Sequence, residues 1–175
     1  MMEGEKTMKR GFTLMELIVV MAILAILSVM VMGSYRATQR KKNDLKRKSD
    51  LTQLGKALEL YNNDLGVYPV SGTGLNAGKI MGCGAGGLAV CEWGKTVFSN
   101  TTTNIVYMAK MPADPLGRQK YYYDSDGTYY KLYASLENLD DPAIVVGGYA
   151  GTNCCIGLCT TASCNFGVAS TNVSP

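Results

Sequence analysis

Glu16 is a carboxylate set inside an apolar run. From Phe12 to Met32 the chain reads FTLMELIVVMAILAILSVMVM, 21 residues that carry this one charge. A helix needs about 20 residues to cross a bilayer. A carboxylate at mid-bilayer costs at least about 2.5 kcal/mol, less near the segment's end. Ionisable groups in such segments pair with a partner or serve a function. Glu16 is therefore the first candidate residue, and its chemistry is charge pairing within an apolar environment.

The cysteines are the second candidate group. All six lie at or beyond Cys83: Cys83, Cys91, Cys154, Cys155, Cys159 and Cys164. The tail spacing Cys154-Cys155-x3-Cys159-x4-Cys164 fits no common zinc pattern, and the chain has no histidine to assist. An even count confined to one part of the chain fits disulfides formed in an oxidising compartment. Cys83 is expected to bond Cys91 across a loop, with the tail cysteines paired among themselves. Adjacent Cys154 and Cys155 are not expected to bond each other. No metal site is expected from these residues.

Asp114, Asp124, Asp126, Asp140 and Asp141 offer oxygen ligands for a hard cation such as calcium. Turn chemistry and capping are the favoured reading of the same residues. Asp124-x-Asp126-Gly127 lacks the remaining spacing of an EF-hand loop. No Gly-x-Ser-x-Gly elbow, P-loop or catalytic dyad is visible, and the commonest general base is absent with histidine. The expectation is a protein that is not an enzyme and needs no cofactor. A formal net charge of +3 is too small to argue for nucleic acid.

These residues must be positioned by a few elements. Residues 1–11, MMEGEKTMKRG, form a short polar leader ending in Lys9-Arg10-Gly11. Residues 12–33 are the apolar segment, longer than the core of a secretory signal peptide and with no clean small-x-small cleavage site behind it. Residues 34–65 continue the helix. Leu51, Leu54, Leu58, Tyr61 and Leu65 recur at steps of three and four and form one apolar stripe. Gly33 is the expected flexible joint, and Leu65-Gly66 is the expected stop. A basic run of Arg36, Arg40, Lys41, Lys42, Lys46, Arg47 and Lys48 lies between, read either as a solvated face or as an anchor at anionic headgroups.

Residues 66–104 are rich in Gly, Ser, Thr and Asn and read as a variable loop with at most short elements. Residues 105–148 hold the β-prone runs Tyr121–Tyr123, Tyr129–Ala134 and Ile144–Val146. Asp124-Ser125-Asp126-Gly127 marks a hairpin between the first two. Residues 149–175 form a cysteine-rich tail. Helix stripe and antiparallel sheet each need cover, so the fold class is α+β, with the helix against the sheet and disulfides stapling loop and tail.

Lys9-Arg10-Gly11-Phe12-Thr13-Leu14-Met15-Glu16, followed by the apolar helix, resembles the prepilin signal of the type IV pilin-like family. Type IV pilins and type II secretion pseudopilins share it. The resemblance implies a pilin fold and cleavage by a prepilin peptidase between Gly11 and Phe12. It implies N-methylation of Phe12 and pairing of Glu16 with the amino terminus of a neighbouring subunit. Gly66-Val67-Tyr68-Pro69 and Met111-Pro112-Ala113-Asp114-Pro115-Leu116-Gly117 resemble the major pseudopilins more narrowly. Leu116 stands where that group usually has tryptophan, and the cysteine-rich tail departs from the group's calcium-site pattern.

The function so implied is a structural filament subunit, most like a type II secretion pseudopilin. A type IV pilus subunit or a filament-tip binding module is the alternative. The implied partners are further copies of the chain, the prepilin peptidase, an inner-membrane assembly platform with minor pilins or pseudopilins, and membrane lipid. No nucleic acid is required. The implied location is the cytoplasmic membrane, crossed once with the C-terminal part outside, and then an extracytoplasmic filament. Basic residues after the apolar run would by themselves favour the opposite orientation; the resemblance overrides them.

Overall fold

The structure is a computed structural model of the chain. It describes residues 11–84, 87–100, 103–154 and 163–175, without the side chains of 30–34. Residues 1–10 of the leader, and Cys155 and Cys159, lie outside the described residues.

One helix, α1, runs from Leu14 to Leu65. The chain divides into two compact units, Met1–Gln39 and Arg40–Pro175, and α1 contributes to both. In the first unit every described side chain from Phe12 to Val29 is exposed, including Leu17, Ile18, Ile23, Leu24 and Leu27. Among the described residues no helix is long and apolar enough to cross a membrane.

The second unit is built on the other half of α1. Leu51, Leu54, Ala57, Leu58 and Tyr61 are buried on one face. Leu65 was expected in this stripe but lies exposed at the helix end; Ala57, one step round the helix from Leu54 and Leu58, completes the buried face instead. Gly66 stops the helix. Its φ is 75°, and its N–H donates to the Asn62 carbonyl at 2.7 Å. That left-handed closure satisfies a terminal carbonyl and favours glycine.

Among the described residues eight short strands follow: β1 Val70–Ser71, β2 Ile80–Cys83, β3 Ala89–Cys91, β4 Phe98–Asn100, β5 Ile105–Met108, β6 Tyr122–Asp124, β7 Lys131–Ala134 and β8 Phe166–Ala169. They form three antiparallel sheets, ordered β1-β2-β3, β4-β5 and β6-β7-β8. The glycine-rich segment is thus more structured than its composition suggests, since four strands fall within 66–104. Gly82 shows why glycines belong there: a Cβ on it would come within 2.7 Å of Pro69 and 3.3 Å of Phe98.

The hairpin at Asp124–Gly127 forms, pairing Tyr122 with Tyr133 and Tyr123 with Leu132. Asp126 accepts from the Thr128 N–H at 2.8 Å, and Gly127 takes a φ of 101°. Ile144–Val146, expected as a strand, forms none, and Val146 is almost fully exposed. The free edge of β7 is taken instead by β8 from the tail, in the register Lys131↔Ala169 and Ala134↔Phe166.

The core joins the helix stripe to Ile80, Cys83 and Cys91 of the first sheet and to aromatic residues of the other two sheets and the loops beside them. Tyr61 stacks on Phe98 at 5.5 Å between ring centres, and Trp93 meets Tyr121 edge-on at 5.8 Å. Tyr121, Tyr123, Tyr130, Leu132 and Ile80 complete it.

Candidate assembly site

The start of α1 is set by Thr13. Its hydroxyl accepts the Glu16 N–H at 3.3 Å, and its carbonyl accepts the Leu17 N–H at 3.3 Å. Thr13-x-x-Glu16 has the spacing of a capping box, with a carboxylate in the first turn where the helix dipole favours negative charge. The sequence reading missed this local role, although the Thr-x-x-Glu spacing carries it. Gly11 and Phe12 lie just before the helix, and Phe12 is 80% exposed. Among the described residues no cation lies within ion-pair distance of Glu16. Its carboxylate therefore heads a row of exposed apolar side chains with no counter-charge beside it among the described residues.

In the second unit the basic run divides. Arg47, read at the sequence level as part of a solvated or headgroup-facing run, is fully buried. Its Nε and Nη2 donate to the two oxygens of Asp114 at 2.7 and 2.9 Å. Its Nη1 donates to Asp44 and Glu137, each at 2.8 Å, and its Nη2 also donates to Gln119 at 2.6 Å. All five guanidinium hydrogens have acceptors, the condition under which a buried arginine is tolerated. Burial would lower its pKa, but hydrogen bonds and the Asp114 charge outweigh that and hold it above the ordinary value.

The acids of this cluster also fasten the chain. Asp44 accepts the backbone N–H of Glu137 at 2.9 Å and of Asn138 at 2.8 Å. Asp114 accepts the Leu116 N–H at 2.8 Å. The Asp-Pro stretch is thereby locked onto α1 through Arg47. Lys48 donates to both oxygens of Asp141 at 2.7 Å, and this hydrogen bond holds the Asp141 carboxyl below its usual value. Lys46 pairs with Asp50 at 2.8 Å, and Asp50 in turn accepts the Tyr121 hydroxyl at 2.7 Å.

Of the aspartates considered for a cation, Asp114, Asp126 and Asp141 are thus engaged internally, while Asp124 lies opposite Lys131 in the hairpin. Among the described residues no three acidic or thiol side chains converge as a metal site. Cys83 is bonded to Cys91, tying β2 to β3 across the glycine-rich turn, and Cys154 is bonded to Cys164, tying the tail to the start of β8. Cys164 is fully buried and Cys154 nearly so.

The family model for the prokaryotic N-terminal methylation motif matches residues 6–32. That span contains the Gly11-Phe12 junction and Glu16. The chain is 37% identical over 73 residues to the type II secretion system core protein G of Aeromonas hydrophila, covering 42% of this chain and 51% of that one. To the core protein G of Vibrio cholerae it is 39% identical over 67 residues, 38% of this chain and 46% of that one. To that of Pseudomonas aeruginosa it is 29% identical over 124 residues, 71% and 79% of the two chains. The chain spans about half the length of the first of these relatives. No solved structure matches. A methylation motif at the head of a long helix, antiparallel sheets after it in sequence and these relatives make the chain similar to the G-type pseudopilins of the type IV pilin-like family.

Proposed function

We propose that this chain is a structural subunit of a pilin-like filament, of the type II secretion pseudopilin kind. A prepilin peptidase cuts between Gly11 and Phe12, and the new Phe12 amino group is methylated. The apolar half of α1 crosses the cytoplasmic membrane once, with residues 40–175 outside, until the subunit joins the filament. The chain's role is structural rather than catalytic. Minor pseudopilins and an inner-membrane assembly platform are its partners in this reading.

The observation that carries the reading is the placement of Glu16. Its carboxylate stands one turn from the new amino terminus, on a helix whose apolar side chains are uncovered, with no cation beside it among the described residues. A neighbouring subunit's Phe12 ammonium supplies the missing charge. Each ion is costly in an apolar surrounding, and pairing offsets that cost. A type IV pilus subunit is the second reading, favoured by the Cys154–Cys164-bridged tail. Long filaments in sheared surface fractions would identify it.

The test is the N-terminal sequence and intact mass of the protein from membranes, alongside a Glu16→Ala variant. A chain beginning at methylated Phe12 is expected for both. Filament yield is expected to fall at least about tenfold in the variant, the loss of one desolvated ion pair. Normal filaments from Glu16→Ala would sink the pairing. A chain still starting at Met1 or Met8 beside an active peptidase would sink the whole reading.

A further inference from the structure

The seven cations between Arg36 and Lys48 are not one population. Lys46, Arg47 and Lys48 are held by Asp50, Asp44, Asp114, Glu137 and Asp141. Arg40, Lys41 and Lys42 are exposed, and none has an ion-pair partner among the described residues. The acids packed nearest in sequence and space do not neutralise them. Asp44 is buried and engaged by Arg47 and by two backbone N–H groups. Glu137 accepts from Arg47 and Asn43, and Asp141 from Lys48 and the Ala143 N–H.

Three consecutive helical residues point about 100° apart, so these cations cover most of the helix circumference rather than one face. Leu45, just beyond them, is an exposed apolar side chain at 67%. In sequence, the trio begins eight residues past Met32, the end of the apolar run. Long cationic side chains with adjacent apolar ones, close after a membrane-length apolar run, have the chemistry of a headgroup-facing collar.

We propose that Arg40, Lys41 and Lys42 bind the phosphates of anionic phospholipid headgroups on the outward side of the membrane. This inference rests on the membrane-anchored reading above. The collar keeps the unassembled subunit seated on the bilayer surface, and assembly must strip those phosphates from it. Cations on the outward side oppose the usual loop-charge bias; a headgroup ligand gives them a role there.

The test uses the full chain in neutral detergent micelles, titrated with phosphatidylglycerol or phosphatidylcholine and read by native mass spectrometry. A parallel arm measures retention in pure phosphatidylcholine vesicles after a high-salt wash. Wild type is expected to stay in those vesicles and to bind phosphatidylglycerol at least about tenfold more tightly than phosphatidylcholine, at roughly fivefold per cation. Arg40→Gln/Lys41→Gln/Lys42→Gln is expected to stay in the vesicles and to lose the preference. A Lys56→Gln/Lys110→Gln control should keep it. Glycerol phosphate in the buffer is expected not to displace the lipid; displacement at low millimolar concentration would mark a free-phosphate site and overturn the proposal. Equal binding of the two lipids, or a preference that survives the triple change, would overturn the collar alone. Loss of wild type from the vesicles would overturn the anchored reading with it.

Discussion

Removing the Arg47 guanidinium would leave Asp44, Asp114 and Glu137 without their shared cation. Breaking a buried ion pair from one side costs about 3–5 kcal/mol, since the remaining charge is stranded. Arg47→Ala is therefore expected to lower the unfolding free energy of the full chain in micelles by about that much. Arg47→Lys should lose less, because an ammonium keeps the charge but has three donors for five acceptors. Urea unfolding followed by circular dichroism measures both, and an Arg47→Ala loss under about 1 kcal/mol would refute the role. Glu16 contrasts with this. In the proposed pairing its partner lies outside its own subunit, so Glu16→Ala is expected to change assembly far more than the stability of the second unit.

Helix α1 ends where its chemistry ends. Gly66 sits at a φ of 75° with open space where a Cβ would project. Gly66→Ala therefore meets no clash, and its cost is the left-handed conformation alone, about 1–2 kcal/mol. Gly66→Asn should cost less, since asparagine tolerates that region. Equal stability of Gly66→Ala and wild type would mean the helix end has another way to close. Gly78 differs, because a Cβ there would fall 2.5 Å from the Tyr122 ring; its substitution disturbs β6 itself. Ile144–Val146 meets the β6-β7-β8 sheet only at its margin: β8 pairs along β7, and Val145 donates its N–H to the Asn165 carbonyl at 2.8 Å, just ahead of β8.

Across the second unit as a whole, the core is held by phenols. Burial pushes Tyr68 up to about 12, helped by the hydroxyl it donates to Glu59 at 2.9 Å. Burial raises Tyr130 to about 12, with the Glu59 charge adding to it, and Tyr133 to about 12, with Asp124 adding. Tyrosine in an unfolded chain ionises near 10. A folded pKa above the unfolded one means the folded state holds its proton more tightly. The resulting stability is complete below about pH 10 and is lost as pH rises from there through about 12. Alkaline titration should show phenolate absorbance rising together with loss of near-ultraviolet circular dichroism in that window. Complete ionisation with the dichroism intact would show the tyrosines to be solvated.

The sequence by itself determined what depends on neighbours along the chain. The Phe12–Met32 run, the Leu51–Leu54–Leu58–Tyr61 stripe, the stop at Gly66 and the Asp124–Gly127 hairpin are all local patterns, because helix period, capping and turn chemistry act over a few residues. So is the Gly11-Phe12-x-x-x-Glu16 signature, which composition alone would not have separated from any apolar helix. Only the tertiary structure decided the fate of the basic run. Arg47 and Lys48 look like Lys41 and Lys42 in sequence, yet Asp114 and Glu137 lie 67 and 90 residues from Arg47. Nothing local marks which cation faces them. The same holds for β8, whose Phe166–Ala169 reads as tail until β7 supplies an edge. Long-range pairing is set by which surfaces meet, and a chain read in order does not contain that.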